Sequence, residues 1–129
     1  MKRLILIFIM CVSLFAILAH RQQPYRSVDV EEFAKIITDK EVVLLDVRTA
    51  DEYAEGHIPG AMLNIDVLSE DFASIAERNL DKDKTIALYC RSGNRSKTAA
   101  HRLTELGYNV VELGSGIKGW TGSGREIEK

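Results

Sequence analysis

The chain has 129 residues, 46% of them hydrophobic and 28% charged, with a formal net charge of −2. That length allows one domain, and the composition is ordinary for a globular protein. The charge balance does not suggest a nucleic-acid binder, which needs a basic face, and no repeat, low-complexity segment or linker interrupts the chain.

The first element is the N-terminal run MKRLILIFIMCVSLFAILAH. Two basic residues precede 16 uncharged, mostly apolar ones, Leu4 to Ala19. The run exceeds a typical signal core and falls short of the roughly 20 residues of a spanning helix. A signal peptide cleaved after Ala19 is the preferred reading, and an uncleaved membrane anchor is the alternative. Ile17 is large where a cleavage site prefers a small residue, and Arg21 and Arg26 follow closely. Either way the expectation is export to a periplasmic or other extracytoplasmic compartment, with residues 20–129 forming the domain. Without residues 1–19, 15 basic side chains face 19 acidic ones, a net charge of −4. Cys11 reads as filler within the apolar run. The remaining thiol, Cys90, has no partner for a disulfide inside the domain.

Asp29 and Glu32 have the spacing of a capping box, opening a helix through Phe33, Ile36 and Ile37. VVLLDV, residues 42–47, reads as a strand buried on both faces. Thr49 and Glu52 repeat the capping spacing for a short helix, and GHIPG, residues 56–60, is turn chemistry. Ala61 to Ile65 is a short strand candidate. Phe72, Ile75 and Ala76 mark a helix before Asn79. TIALY, residues 85–89, is a second buried strand. Ser96 to Leu106 is a helix stopped by Gly107, and Asn109 to Leu113 is the last strand. Gly114 onward reads as loop with one helical turn near Trp120. Helices alternating with short apolar strands predict an α/β fold with a mainly parallel sheet covered on both faces. In such sheets, sites form beyond the carboxyl ends of strands. Cys90 ends one strand there, and Asp46 and Arg48 end another.

The segment Cys90-Arg91-Ser92-Gly93-Asn94-Arg95 lies between that strand and a helix beginning near Ser96. A loop curled around the sulfur turns its backbone N–H groups inward. Gly93 and Asn94 tolerate the unusual φ values of such a cradle. The helix N-terminus and the charges of Arg91 and Arg95 add to the effect, so the thiol is expected below its ordinary pKa. Thiolate is the nucleophilic form. Free cysteines often merely fill buried space, but such a cysteine calls for no neighbouring arginines, whose unpaired burial is costly.

Three stretches together resemble the rhodanese family of single-domain thiosulfate sulfurtransferases: LLDVRTADEYAEGHIPGAMLNI (44–65), ALYCRSGNRS (87–96) and GYNVVELGSGIKGW (107–120). The resemblance spans roughly residues 27–121. It implies a rhodanese-like domain in which Cys90 accepts sulfane sulfur from thiosulfate or a similar donor and passes it on to cyanide or a cellular thiol. It also implies that Arg91, Ser92, Gly93, Asn94, Arg95 and Ser96 form the substrate loop. The loop amides would hold the persulfide, and Arg91 and Arg95 would bind the anionic donor. Arg95 has a second reading, as the partner of a rim carboxylate. Asp46 and Arg48 match a supporting D-x-R motif. Arg48 is read as part of a structural network in which Glu52 or Glu55 could pair with it. His57 is read as holding its turn and His101 as a surface residue. Trp120 is read as a pocket wall or as core. The family's paired glycines meet Gly114-Ser115-Gly116 here, and the small Ser115 is expected to preserve the turn.

Rival functions differ in what they require. Phosphatases and arsenate reductases that resemble the fold carry five residues between cysteine and arginine, whereas four separate Cys90 from Arg95. A shorter loop suits one sulfur atom better than a tetrahedral phosphate. A non-catalytic binding or regulatory module does not need the retained thiol and charged loop. A thiol–disulfide oxidoreductase lacks its second cysteine. Neither a metal nor an organic cofactor is implied, since no cysteine–histidine cluster or nucleotide motif occurs.

Overall fold

Five short strands pair side by side, all parallel, in the order β1-β5-β4-β2-β3. The computed structural model describes residues 24–129. The strands are β1 (Arg26–Val28), β2 (Val42–Asp46), β3 (Leu63–Asn64), β4 (Thr85–Tyr89) and β5 (Asn109–Leu113). Among the described residues four helices connect them, α1 (Val30–Ile36), α2 (Ala50–Glu55), α3 (Phe72–Asn79) and α4 (Asn94–Glu105), and α5 (Gly116–Gly122) follows β5.

The apolar runs are continuous because both faces of the sheet are covered. Leu45, Val47, Ile86, Leu88 and Val110 point to the side closed by α3 and α4, where Phe72, Ala76, Ala99, Ala100 and Leu103 meet them. Leu44, Ala87, Tyr89, Val111 and Leu113 point to the other side. There they pack with Phe33 of α1 and with Ile117 and Trp120 of α5. Cys90 continues the alternation of β4 and belongs to the α3/α4 side. β4 lies between β2 and β5, so its carboxyl end opens at the middle of the sheet rim.

Local signals account for most boundaries. The Asp29 carboxylate accepts the Glu32 N–H at 2.9 Å, and Thr49 Oγ1 accepts the Glu52 N–H at 3.2 Å. The Glu32 side chain turns to Arg26, whereas Glu52 pairs with Arg95 and still accepts from the Thr49 hydroxyl at 3.2 Å. The strand expected over 61–65 is confined to Leu63–Asn64. β1 escapes the sequence pattern: it has three residues, of which Val28 alone is buried. The segment from Gly114 onward is not loop with a single turn but the seven-residue α5. Its glycines disfavour a helix, and packing of Ile117 and Trp120 against the sheet overrides them.

The expectations for residues 1–19 lie outside the described residues. No described helix is long and apolar enough to cross a membrane.

Candidate active site

Cys90 sits one residue past the end of β4 and is 1% exposed. The turn after it is shaped by a glycine. Gly93 has φ +108, and a Cβ there would stand 2.3 Å from the Gly114 carbonyl oxygen. Helix α4 begins at Asn94, two residues earlier than its apolar pattern predicts. Asn94 and Arg95 therefore occupy its first turn. No described non-glycine residue has a positive φ, so the unusual conformation expected at Gly93 and Asn94 falls on Gly93 alone.

The opposite wall of the turn is α5. Its Ile117 N–H donates to the Cys90 carbonyl at 2.9 Å, and its Lys118 N–H donates to the Arg91 carbonyl at 3.0 Å. In a trans peptide the next N–H points away from the carbonyl. Drawing the Arg91 carbonyl towards α5 thus turns the Ser92 N–H inward, towards the sulfur. Gly116 makes this approach possible. With φ +65, it lies so close that a Cβ would stand 2.3 Å from the Arg91 oxygen and 2.7 Å from the Cys90 oxygen. Ser115, the departure from the paired glycines, has an ordinary right-handed helical conformation with φ −92, and the turn is preserved around it.

The sulfur faces polar partners. Gly93 N–H donates to Sγ at 3.1 Å, and Ser96 Oγ lies 3.4 Å away. Burial pushes the thiol up. Hydrogen bonding at the turn, with the backbone N–H groups of Ser96, Gly93 and Ser92 among its donors, outweighs it, so Cys90 lies below its ordinary value. The dipole of α4, whose N-terminus is at this turn, acts in the same direction.

The other residues singled out by the sequence occupy distinct places. Arg91 is exposed and, with Arg48, Glu52, Ile117, Lys118 and Ile127, lines an open cleft of about 500 Å³. Ser92 and Asn94 are exposed beside it, whereas Ser96 is fully buried. Arg95 holds Glu52 through two bonds, Nη1 to Oε1 at 2.7 Å and Nη2 to Oε2 at 2.9 Å. This pairing, first through the hydrogen bond, holds the Glu52 carboxyl down at about 2.

Asp46 and Arg48 form a closed unit. Asp46 accepts from the Arg48 backbone N–H at 2.8 Å, and its Oδ2 accepts from Arg48 Nη2 at 2.7 Å. Arg48 Nη2 also donates to the Gly56 carbonyl at 2.6 Å. The pair fixes the end of β2 to the turn after α2. Neither Glu52 nor Glu55 takes the role of Arg48's partner, because Asp46 is two residues away and already buried against it. His57 stacks on Tyr53 with ring centroids 4.0 Å apart and its Nδ1 contacts the Tyr53 carbonyl at 3.1 Å, which locks the turn. Trp120 is core, with its Nε1–H donating to the Glu126 carbonyl. His101 is exposed and pairs with Glu105.

Sequence reasoning missed Glu112. This carboxylate is completely buried in β5 and bonds to Ser27, Ser96 and Lys97. The available signal is a lone acid inside the apolar strand NVVEL, where an unpaired charge would be costly.

Comparison with known proteins agrees with this geometry. The family model of the rhodanese-like domain matches residues 29–123. A sulfurtransferase of Allochromatium vinosum is 36% identical over 102 residues, covering 78% of this chain and 92% of that protein. The thiosulfate sulfurtransferase PspE of Escherichia coli is 39% identical over 74 residues, 57% of this chain and 69% of that protein. The crystal structure of a rhodanese-related protein from Thermoplasma volcanium superposes with a TM-score of 0.66. It is 32% identical and covers 81% of this chain and 98% of that one.

Proposed function

The chain belongs to the rhodanese-like domain family, and from that premise we propose that it is a sulfurtransferase working through a persulfide on Cys90. The observation that carries the reading is the turn itself. One buried sulfur faces inward N–H groups, Gly93 N–H at 3.1 Å among them. The names of the relatives support the same class of chemistry.

The reaction is a double displacement. The Cys90 thiolate attacks the outer sulfur of thiosulfate or a similar anionic donor. The donor's S–S bond breaks and, for thiosulfate, sulfite departs with the bonding electrons. The product is Cys90–S–S⁻, whose charge is held by the turn's N–H groups and the N-terminus of α4. A thiophilic acceptor, cyanide or a cellular thiol, then attacks the terminal sulfur. Cys90 leaves as thiolate, ready for the next donor, and ping-pong kinetics follow. Arg91, facing the open cleft, attracts the anionic donor.

Intact-mass spectrometry before and after thiosulfate, beside Cys90→Ser, tests this. The expected result is a gain of one sulfur on the wild type alone, lost on adding cyanide. A folded protein with a free thiol that takes no sulfur from thiosulfate or from organic persulfides overturns the enzyme reading. We also place the chain outside the cytoplasm, exported on residues 1–19. A cell-extracted mass starting near His20 supports cleavage and one starting at Met1 supports an anchor, while recovery from the cytoplasmic fraction overturns export.

A further inference from the structure

The proposed reaction leaves one buried charge unused. Glu112 stands directly behind the cysteine turn. Its Oε1 accepts from Ser27 Oγ of β1 at 2.6 Å and from Lys97 Nζ of α4 at 3.1 Å. Its Oε2 accepts from the Ser96 hydroxyl. That hydroxyl oxygen also lies 3.0 Å from the Gly93 carbonyl oxygen and 3.4 Å from Cys90 Sγ. A serine hydroxyl has one proton and two lone pairs. Three acceptors, Glu112, Gly93 and the Cys90 sulfur, therefore compete for a single proton. An ionised carboxylate is the strongest of them.

We propose that Glu112 is a positioning residue that acts on Cys90 through Ser96. The ionised carboxylate draws the serine proton to itself, so the hydroxyl turns a lone pair towards the sulfur. In that orientation Ser96 accepts from the Cys90 thiol and gives nothing to the thiolate. Stabilisation of the thiolate is left to the backbone N–H groups of the turn. Neutralising Glu112 releases the serine proton, which then swings to the sulfur and favours thiolate. Glu112 thus sets how readily Cys90 ionises, and how well it serves as attacking and leaving group. The consequence for catalysis rests on the sulfurtransferase reading; the competition for the proton does not.

The surrounding charges are few. Lys97 is the cation on Glu112, with Ser27 facing it from β1. Arg95, which is held by Glu52 and also feels Asp66, is the cation whose field reaches Cys90. Substitution at Ser96 leaves these in place, and Glu112→Gln removes only the carboxylate partner of Lys97.

The test is the pH profile of alkylation by iodoacetamide, read at the Cys90 peptide by mass spectrometry so that Cys11 does not interfere. It needs no sulfur donor, so its failure is distinguishable from failure of the sulfurtransferase reading. In Ser96→Ala the Cys90 midpoint stays in place or falls. In Glu112→Gln it falls by about one pH unit, a tenfold gain in thiolate near neutral pH. In the double variant the effect of Glu112→Gln drops to less than half. A raised midpoint in Ser96→Ala overturns the proposal, because it means that the hydroxyl donates to the thiolate in the wild type. An unmoved midpoint in Glu112→Gln also overturns it. So does a shift that persists in full without Ser96, which would be the field of the charge alone. If Glu112→Gln does not fold, Ser96→Ala decides by itself.

Discussion

The Ile117 N–H donates to the carbonyl of Cys90 at 2.9 Å, tying the first turn of α5 to the peptide of that cysteine. The Cys90 turn is therefore shaped from two directions. Gly93 bends it from within, and α5 pulls its carbonyls outward. A helix that the sequence pattern reads as loop is what aims the amides.

Gly116→Ala follows from this contact. Its Cβ would lie 2.3 Å from the Arg91 oxygen, at a φ of +65 that a side chain resists. Either α5 or the turn must retreat. We expect a loss of about 2–4 kcal/mol in urea unfolding, together with a raised Cys90 midpoint in the alkylation profile. Wild-type stability and an unmoved midpoint would show that α5 does not shape the turn.

The Glu52–Arg95 pair gives a pH dependence with a definite sign. The folded carboxyl titrates at about 2, below its ordinary 4.5. Its contribution is therefore fully present above about pH 4.5 and is lost as pH falls through 2. Allowing for the partial exposure of both side chains, about 1–2 kcal/mol is at stake. Urea unfolding between pH 2 and 6 should show a shallower dependence in Glu52→Gln than in the wild type. Parallel curves would mean that the pair contributes nothing.

Asp46 and Arg48 carry a larger penalty, since their side chains are 0% and 7% exposed. Asp46→Ala strands a buried guanidinium and should cost about 3–5 kcal/mol. Replacing both by apolar residues of similar volume removes the stranded charge and should cost less. Denaturant titration of the single and double variants decides this. Equal losses would show that the ion pair is not the feature being broken.

The sheet was legible because its strands are apolar on both faces, and VVLLD and TIALY could hardly be read otherwise. The cysteine turn was legible because Cys90 ends such a strand and Gly93 follows three residues later. What escaped depends on distant partners. Glu52 looks like a capping residue until Arg95, 43 positions away, is brought against it. Glu112 looks like an anomaly in a strand until Ser27 and Ser96 surround it. α5 has weak intrinsic helix signals and is held by sheet packing and the carbonyls of the turn. Local pattern records burial and chain direction, while these pairings are properties of the packed chain alone.

Arg91 and Arg95 share a loop, yet their surroundings separate them. Arg95 is committed to Glu52 in a two-bond pair. Arg91 lines the open cleft, and none of the ion pairs among the described residues includes it. An exposed, uncommitted guanidinium attracts an anion without holding the fold together. Arg91→Ala should therefore raise KM for thiosulfate about 5- to 10-fold, equivalent to roughly 1 kcal/mol, while urea unfolding is unchanged. Added salt should weaken the wild type towards the variant, because exposed charges are screened. Arg95→Ala should instead lower stability by about as much as Glu52→Gln. The reverse pattern, with Arg95→Ala altering KM at wild-type stability, would assign donor recognition to Arg95 and leave Arg91 as a solvated surface charge.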